Sequence, residues 1–398
     1  MSKLDLLLSI IALVAVVSTL AGTICLLWAT RRRRLPDYTP PVTIYKPLKG
    51  HDEGLEENLR SFFRLDYPQF QLLFGVAEAQ DPAIPVVQKL LAEFPDQDAR
   101  LVVGHAPFGL NPKVENLAAL EPFRRHEVIL ISDSNVRVRP SYLRETACYL
   151  ADPSVGLVTN LFAGIGEERF GATLENLQLN GFIAGAVAVA SALGATCVIG
   201  KSMLMRQRVL AEVGGLAGVR NLLAEDQVLA LRIRKAGYRI ALSHHVIANV
   251  NGRRDLRWFL NRHSRWYKIR FRLAPGPYLL EPVTNLATVG LVWALSGDTA
   301  FAWSGLLLLG GLGMVRDAFQ TRCLRGTFPR LRHLPLSLVK DLFLLPVWID
   351  ALLSRDIHWR GNRYLIGRLT RLRRTRVTRG ARRRIRRIRR LRFRHPAP

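Results

Sequence analysis

The sequence predicts an α/β catalytic domain held between N- and C-terminal transmembrane helices. Three patterns carry that expectation. Short apolar runs alternate with helical stretches from Val42 to Ser132. A 25-residue uncharged run, Leu6 to Thr30, stands near the start, and the chain turns apolar again after Leu279. Strands alternating with helices imply a mostly parallel sheet covered on both faces. An uncharged run of that length crosses a ~30 Å hydrocarbon core as one helix.

In chain order, residues 1–35 read as a transmembrane anchor and its basic stop. Arg31-Arg32-Arg33-Arg34 follows the apolar run, against one Lys and one Asp before it. A cleaved signal peptide would carry its strongest positive charge ahead of a shorter apolar region, so an uncleaved anchor is expected. The positive-inside rule then puts everything after Arg31 in the cytoplasm. Pro36 to Pro41 reads as a stiff linker opening a cytoplasmic catalytic domain, residues 36–278. Its expected strands are Val42–Tyr45, Gln71–Val76, Arg100–Val103 and Val128–Ser132. Helices are expected over Leu55–Phe63, Ile84–Phe94, Val114–Phe123 and Val228–Ala236.

Residues 279–355 read as C-terminal membrane segments. Leu279–Leu295 and Thr299–Met314 suggest a hairpin turning at Gly297-Asp298. His333–Ser354 is interrupted by Lys340, Asp341 and Asp350, which fits a re-entrant or interfacial helix. Residues 356–398 read as an arginine-rich cytoplasmic tail. From Ile357 onward the chain holds 17 arginines and no Asp or Glu, so of the net +27 only about +10 belongs to the rest. Ile385, Ile388, Leu391 and Phe393 suggest that the tail lies on anionic lipid as an amphipathic helix. A phosphate backbone would also attract it, but no RNA-binding fold is recognisable and no nucleic acid is expected as a partner. Cys25, Cys148, Cys197 and Cys323 show no metal spacing, which fits a reducing compartment.

Ligands on parallel sheets bind at the carboxyl ends of strands. Asp81 lies shortly after one such end and Asp133 directly after another. Gln80-Asp81-Pro82 taken alone reads as an acidic turn. Asp133-Ser134-Asn135, closing Val128–Ser132, is either a helix cap or a carboxylate placed to hold Mg²⁺ or Mn²⁺. Glu225-Asp226 precedes a helical stretch, where acidic residues are favoured, and is also placed to act as a base on an alcohol. Arg262, Arg265 and Trp266 follow Asp226 after 36 residues. They suit an interfacial helix, and guanidinium groups there also stabilise a departing diphosphate. Gly200-Lys201-Ser202 resembles the end of a P-loop, but Gly194 is one residue too far upstream. His244-His245 has no partner ligands at metal spacing.

Ten segments together resemble the ceramide glucosyltransferase family: Lys46-Pro47-Leu48-Lys49-Gly50, Leu65-Asp66-Tyr67-Pro68, Asp81-Pro82-Ala83-Ile84, Asn111-Pro112-Lys113, Asp133-Ser134, Gly156-Leu157-Val158, Leu204-Met205-Arg206, Gly214-Gly215-Leu216, Ala224-Glu225-Asp226 and Arg262-x-x-Arg265-Trp266. A weaker echo follows at Trp359 to Tyr364. The resemblance spans Thr43 to Pro282 and includes the D, D, D, (Q/R)xxRW pattern of membrane-bound GT-A glycosyltransferases.

It implies a GT-A, Rossmann-like nucleotide-sugar transferase domain and an inverting single displacement from a UDP-sugar to a lipid hydroxyl. By the same resemblance Asp226 would be the catalytic base, Asp81 would contact uridine, and Asp133 would hold a divalent metal, Mg²⁺ or Mn²⁺. Arg262, Arg265 and Trp266 would bind diphosphate, with Lys46, Lys49 and Lys113 nearby in the nucleotide region. Ceramide glucosylation is the leading activity. The apolar stretch Phe182–Gly194 departs from the family and suits a hopanoid polyol, which a related bacterial branch glycosylates. The donor would be UDP-glucose or UDP-N-acetylglucosamine, and the setting a bacterial inner membrane. A polysaccharide synthase would need a larger helical bundle.

Overall fold

The computed structural model describes residues 3–104, 107–296, 300–359 and 361–374. Eight strands build the main sheet: β1 (Val42–Pro47), β2 (Phe70–Val76), β3 (Ala99–Val103), β4 (Val128–Ile131), β5 (Val136–Arg137), β6 (Val155–Ile165), β7 (Met203–Arg206) and β8 (Arg239–Val250). Their order is β3-β2-β1-β4-β7-β6-β8-β5. The first four are parallel, as expected, whereas β7 runs antiparallel to both β4 and β6. The sheet is therefore mixed. Its parallel part keeps helices on both faces, so its strands are mostly apolar, with Thr43, Lys46 and Gln71 as buried polar exceptions. Neighbouring side chains feed opposite cores: Ile44, Leu72 and Leu130 join one, and Tyr45, Leu73 and Ile129 the other.

The four expected strands and four expected helices are present, the helices spanning Leu55–Phe63, Ala83–Glu93, Pro112–Leu120 and Glu225–Lys235. Asn111 caps the third of these, its side-chain oxygen accepting from the amides of Lys113 and Val114, with Pro112 at the first helical position. The parallel strands all end at one edge. That edge gathers the turn after β2, the Asp133 turn after β4 and the start of the Pro112–Leu120 helix.

Among the described residues one helix, Lys3–Thr30, is long and apolar enough to cross a membrane. It packs against the helix Ala184–Ala192, where a Cβ built on Gly22 would lie 3.5 Å from Gly185 Cα. Small residues of this kind let helix backbones approach closely. The expected span over Leu279–Leu295 is broken instead into Pro275–Thr284 and Leu286–Ser296, bent by 62°. Pro282 lies in the first helix, and Asn285 restarts the second by accepting from the Thr288 amide. Together this pair is apolar enough to count as one further span. The Gly297-Asp298 turn lies outside the described residues.

The charges that interrupt the third apolar stretch face its neighbours. Lys340 is fully buried, with Nζ 2.8 Å from Asp341 and 3.2 Å from Asp317 of the Ala300–Arg325 helix. Asp350 pairs with Lys268 at 2.7 Å, which docks the Leu336–Leu353 helix on Leu256–Leu273.

Part of the expected tail is folded. β9 (Asp356–Trp359), β10 (Asn362–Ile366) and β11 (Leu372–Arg374) form a small antiparallel sheet. Ile357, Tyr364, Ile366 and Leu372 supply its buried face, together with Leu223. The arginine-rich stretch 375–398 and its expected contact with anionic lipid lie outside the described residues.

Candidate active site

Asp133 is the hub of the strand-end edge. Lys113 Nζ lies 2.9 Å from its Oδ1, and Lys201 Nζ 3.6 Å from its Oδ2. Lys46 Nζ donates to its backbone carbonyl at 2.7 Å and to Ser132 Oγ at 3.3 Å. Each lysine comes from a different element: β1, the Asn111-capped helix and the segment before β7. Lys46 is fully buried, with its ammonium 3.7 Å from the centre of the Phe62 ring. Burial, reinforced by Lys201 and Lys113 and opposed by Asp133, holds its pKa well below the usual lysine value. Its place is inside the wall of the edge. Lys49 is exposed and makes none of the contacts that tie the other lysines to Asp133.

Lys113 links this hub to the proposed base. It also lies 3.2 Å from Glu225 Oε1 and donates to the Gly200 carbonyl at 3.0 Å. Burial alone would lower its pKa, but Asp133, Glu225 and Asp226 outweigh burial and hold it raised. Asp226 is half-buried. Its Oδ2 accepts from the Gly200 amide at 2.6 Å and its Oδ1 from the Gln227 amide at 2.8 Å. Burial first and Glu225 second push its carboxyl up to about 7, against the opposing pull of Lys113 and two backbone amides. A carboxylate with that affinity accepts a proton near neutral pH far better than an ordinary aspartate.

Asn111 and Thr370 fix the turn that carries this pair. Asn111 Nδ2 donates to the Leu222 carbonyl at 2.6 Å and to Glu225 Oε2 at 2.9 Å. Thr370 accepts from the Leu223 amide with its carbonyl, at 3.0 Å, and from the Ala224 amide with Oγ1, at 3.2 Å. Leu369 and Thr370 hold φ of 49° and 61°, a region costly for side chains other than glycine.

Arg262 is held by Glu175, and its charge acts on Lys201. The fully buried Glu175 has Oε1 2.9 Å from Arg262 Nε, a charge contact without hydrogen-bond alignment, and Oε2 2.9 Å from His263 Nε2. Burial would raise the Glu175 pKa, but Arg262 and His263 hold it below the usual carboxylate value. Trp258 and Trp266 flank the guanidinium, with ring centres 5.1 and 4.5 Å away. Arg265 is half-buried on the same helix.

Asp81 lies apart from this cluster. Both its oxygens accept from the Gly50 amide at 3.0 Å, and Oδ1 also accepts from Ala83 at 2.9 Å. It thereby joins the loop after β1 to the turn after β2.

In the sequence Lys201 reads as part of a failed P-loop, and Glu175, in the helix Phe170–Gln178, carries no motif. In the fold Lys201 is buried, donating to Asn135 Oδ1 at 3.0 Å, and burial together with Arg262 and Lys113 brings its pKa down to about 8 despite Asp133. Spacing offers no signal for either residue. The one charged side chain of the helix Phe170–Gln178 and a Lys beside a glycine are the only hints.

Among the described residues no three His, Cys, Asp or Glu side chains gather as a protein-only metal cage. Asp133 and Asn135 instead present one carboxylate and one amide oxygen to a single cation, the Lys201 ammonium. Such a set suits Mg²⁺ or Mn²⁺ where substrate phosphate and water supply the remaining oxygens.

The family model for glycosyl transferase family 21 matches residues 8–372. Ceramide glucosyltransferase 1 of Caenorhabditis elegans is 30% identical over 339 residues, covering 83% of this chain and 72% of that protein. Ceramide glucosyltransferase of Komagataella phaffii is 26% identical over 85% of each chain. A solved mannosyltransferase from Pyrobaculum calidifontis, in complex with GDP-Man and Mn²⁺, covers 87% of this chain and 99% of its own at 15% identity, with a TM-score of 0.47. The chain belongs to glycosyl transferase family 21 and is a hexosyltransferase built on a mixed α/β domain.

Proposed function

We propose that the protein transfers one hexose from a UDP-sugar to the hydroxyl of a membrane lipid, at the cytoplasmic face, with inversion at the anomeric carbon. The observation that carries this reading is Asp226 at a helix start, joined through Gly200 and Lys113 to the lysine-rich Asp133 hub, where burial and Glu225 push its carboxyl up. Asp226 accepts the proton of the acceptor hydroxyl as that oxygen bonds to the sugar C1. The C1–oxygen bond to diphosphate breaks, and its electron pair leaves with UDP. Lys113, Lys201 and Arg262 offset the charge developing on the diphosphate. Arg265 and Trp266 complete that wall, and Lys46 holds the Asp133 turn from within. Asp81 orders the loops proposed to receive uridine, beside the exposed Lys49.

Asp133, with Asn135 beside it, would hold a divalent ion. When bound, that ion supplies positive charge to the diphosphate.

The relatives named as ceramide glucosyltransferases favour glucose and ceramide. A second acceptor, a hopanoid polyol in a bacterial inner membrane, is favoured by one observation. The helix Ala184–Ala192 has the sequence AGAVAVASA and packs on the Lys3–Thr30 helix. Its apolar side chains suit the fused hydrocarbon rings of a hopanoid. The arginine-rich end would add attraction to anionic lipid.

The test offers UDP-glucose and UDP-N-acetylglucosamine with ceramide, diacylglycerol and hopanoid acceptors. Products are identified by mass and anomeric configuration. A β-linked monohexosyl lipid is expected, whereas a polymer or an α-linked product contradicts the reading.

A further inference from the structure

The two oxygens suited to a divalent cation already hold a cation belonging to the chain. Lys201 Nζ lies 3.0 Å from Asn135 Oδ1 and 3.6 Å from Asp133 Oδ2, and its side chain is 5% exposed. Asp133 Oδ1 is engaged by Lys113 at 2.9 Å, so both carboxylate oxygens face ammonium groups. A lysine buried for structure alone would be expected to have a close carboxylate, because an imperfectly paired buried charge destabilises the fold. Among the described residues, Lys201 has the looser contact to Asp133, one amide oxygen and the Phe162 ring 6.0 Å away, with Asp52 acting on it from farther off. A divalent ion brought to Asp133 in the absence of nucleotide would sit against two positive charges. A diphosphate at the same place would attract both the ion and the ammonium.

We propose that Lys201 is a resident counter-ion of the Asp133–Asn135 oxygens: it excludes a divalent cation from the nucleotide-free enzyme and gives up those oxygens when the donor's diphosphate takes its charge. This rests on the reading of Asp133 as the metal-holding residue. Binding of cation and nucleotide is then reciprocally coupled through one side chain. Free UDP-sugar, rather than free metal, commits the site.

The experiment titrates Mn²⁺ into the purified full-length protein, following free Mn²⁺ by electron paramagnetic resonance with and without saturating UDP. Wild type should bind Mn²⁺ at least tenfold more tightly with UDP than without. Lys201→Met, which keeps the stem and removes the charge, should bind Mn²⁺ at least tenfold more tightly than wild type in the absence of UDP. Lys201→Arg should behave as wild type. Adding Asp133→Asn to Lys201→Met should return binding to the weak level and so locate the ion. Thermal melting without Mn²⁺ identifies folded variants, and Lys201→Gln replaces Lys201→Met if the latter melts early. Equal UDP-free Mn²⁺ affinity in wild type and both neutral variants, with tight binding restored by UDP, overturns the counter-ion role alone. Absence of Mn²⁺ binding in every form, even with UDP, overturns that role and the metal-holding role of Asp133 together.

Discussion

The Gly200 amide donates to Asp226 Oδ2 at 2.6 Å, while the carbonyl of the same residue accepts from Lys113 Nζ at 3.0 Å. A single glycine therefore sets the spacing between the proposed base and a proposed leaving-group cation. A Cβ at this position would lie 2.8 Å from Lys113 Nζ and 2.9 Å from Asp226 Oδ2. Both atoms end flexible side chains, so Gly200→Ala displaces them at little cost to the fold. Transfer should fall on the order of 100-fold, the scale expected for a displacement of about 1 Å. Steady-state kinetics and thermal melting on one preparation check that activity falls far more than stability.

Asp226 gives the reaction a pH signature. Its unprotonated form is the base, so kcat/KM should rise with pH through an acid limb near 7. Glu225→Gln removes a repulsion that raises this pKa and should move the limb downward. The same raised pKa has a stability consequence. Between its ordinary value of 3.8 and about 7 the folded state binds more protons than the unfolded one. The stabilisation from Asp226 is fully present below pH 3.8 and is lost as pH rises through about 7. Asp226→Asn should flatten that part of the stability–pH curve, measured by chemical denaturation between pH 5 and pH 8.

Glu175 positions Arg262 from inside the protein, 2.9 Å from its Nε. Glu175→Ala leaves a buried guanidinium and imidazole without their shared partner and should destabilise the fold by about 3–5 kcal/mol. Glu175→Gln keeps the shape and should weaken UDP binding severalfold, measured by calorimetry.

Thr370 ties the C-terminal sheet to the turn before Asp226. Thr370→Val removes the hydroxyl that accepts from the Ala224 amide and should cost about 1–3 kcal/mol, the range for stranding a buried donor. It should lower kcat more than it raises the KM for the UDP-sugar. Leu369→Gly should stabilise the fold by about 1 kcal/mol by relieving a left-handed backbone. Urea denaturation checks both values.

Much of this arrangement was legible in the sequence. The parallel half of the sheet follows from continuous apolar runs at β1, β2 and β4, and Asp133 and Asp226 announce themselves by position relative to a strand end and a helix start. The helix expected from Val114 begins at Pro112 instead, because Asn111 caps it. The antiparallel insertion of β7 was not legible, because a buried run such as Met203–Arg206 carries no signal for direction. Lys46, expected in the nucleotide region, lies buried beneath Asp133, a placement no motif records, since a motif gives which residue is present but not which way it points. Neither Glu175 nor Lys201 shows its role in the sequence, because their partners lie 87 and 66 positions away, at Arg262 and Asn135. Residues 356–374 were hidden within an arginine-rich composition, although Ile357, Tyr364, Ile366 and Leu372 form one buried face.

The assignment of Asp226 as the base is tested most directly by Asp226→Asn, with UDP affinity and sugar transfer measured on the same purified sample. The amide keeps the size of the side chain but cannot take the acceptor's proton. UDP should bind within about threefold of wild type, while transfer falls on the order of 1,000-fold, in the range for removing a general base. Transfer at the wild-type rate by a folded, UDP-binding Asp226→Asn protein would contradict the assignment.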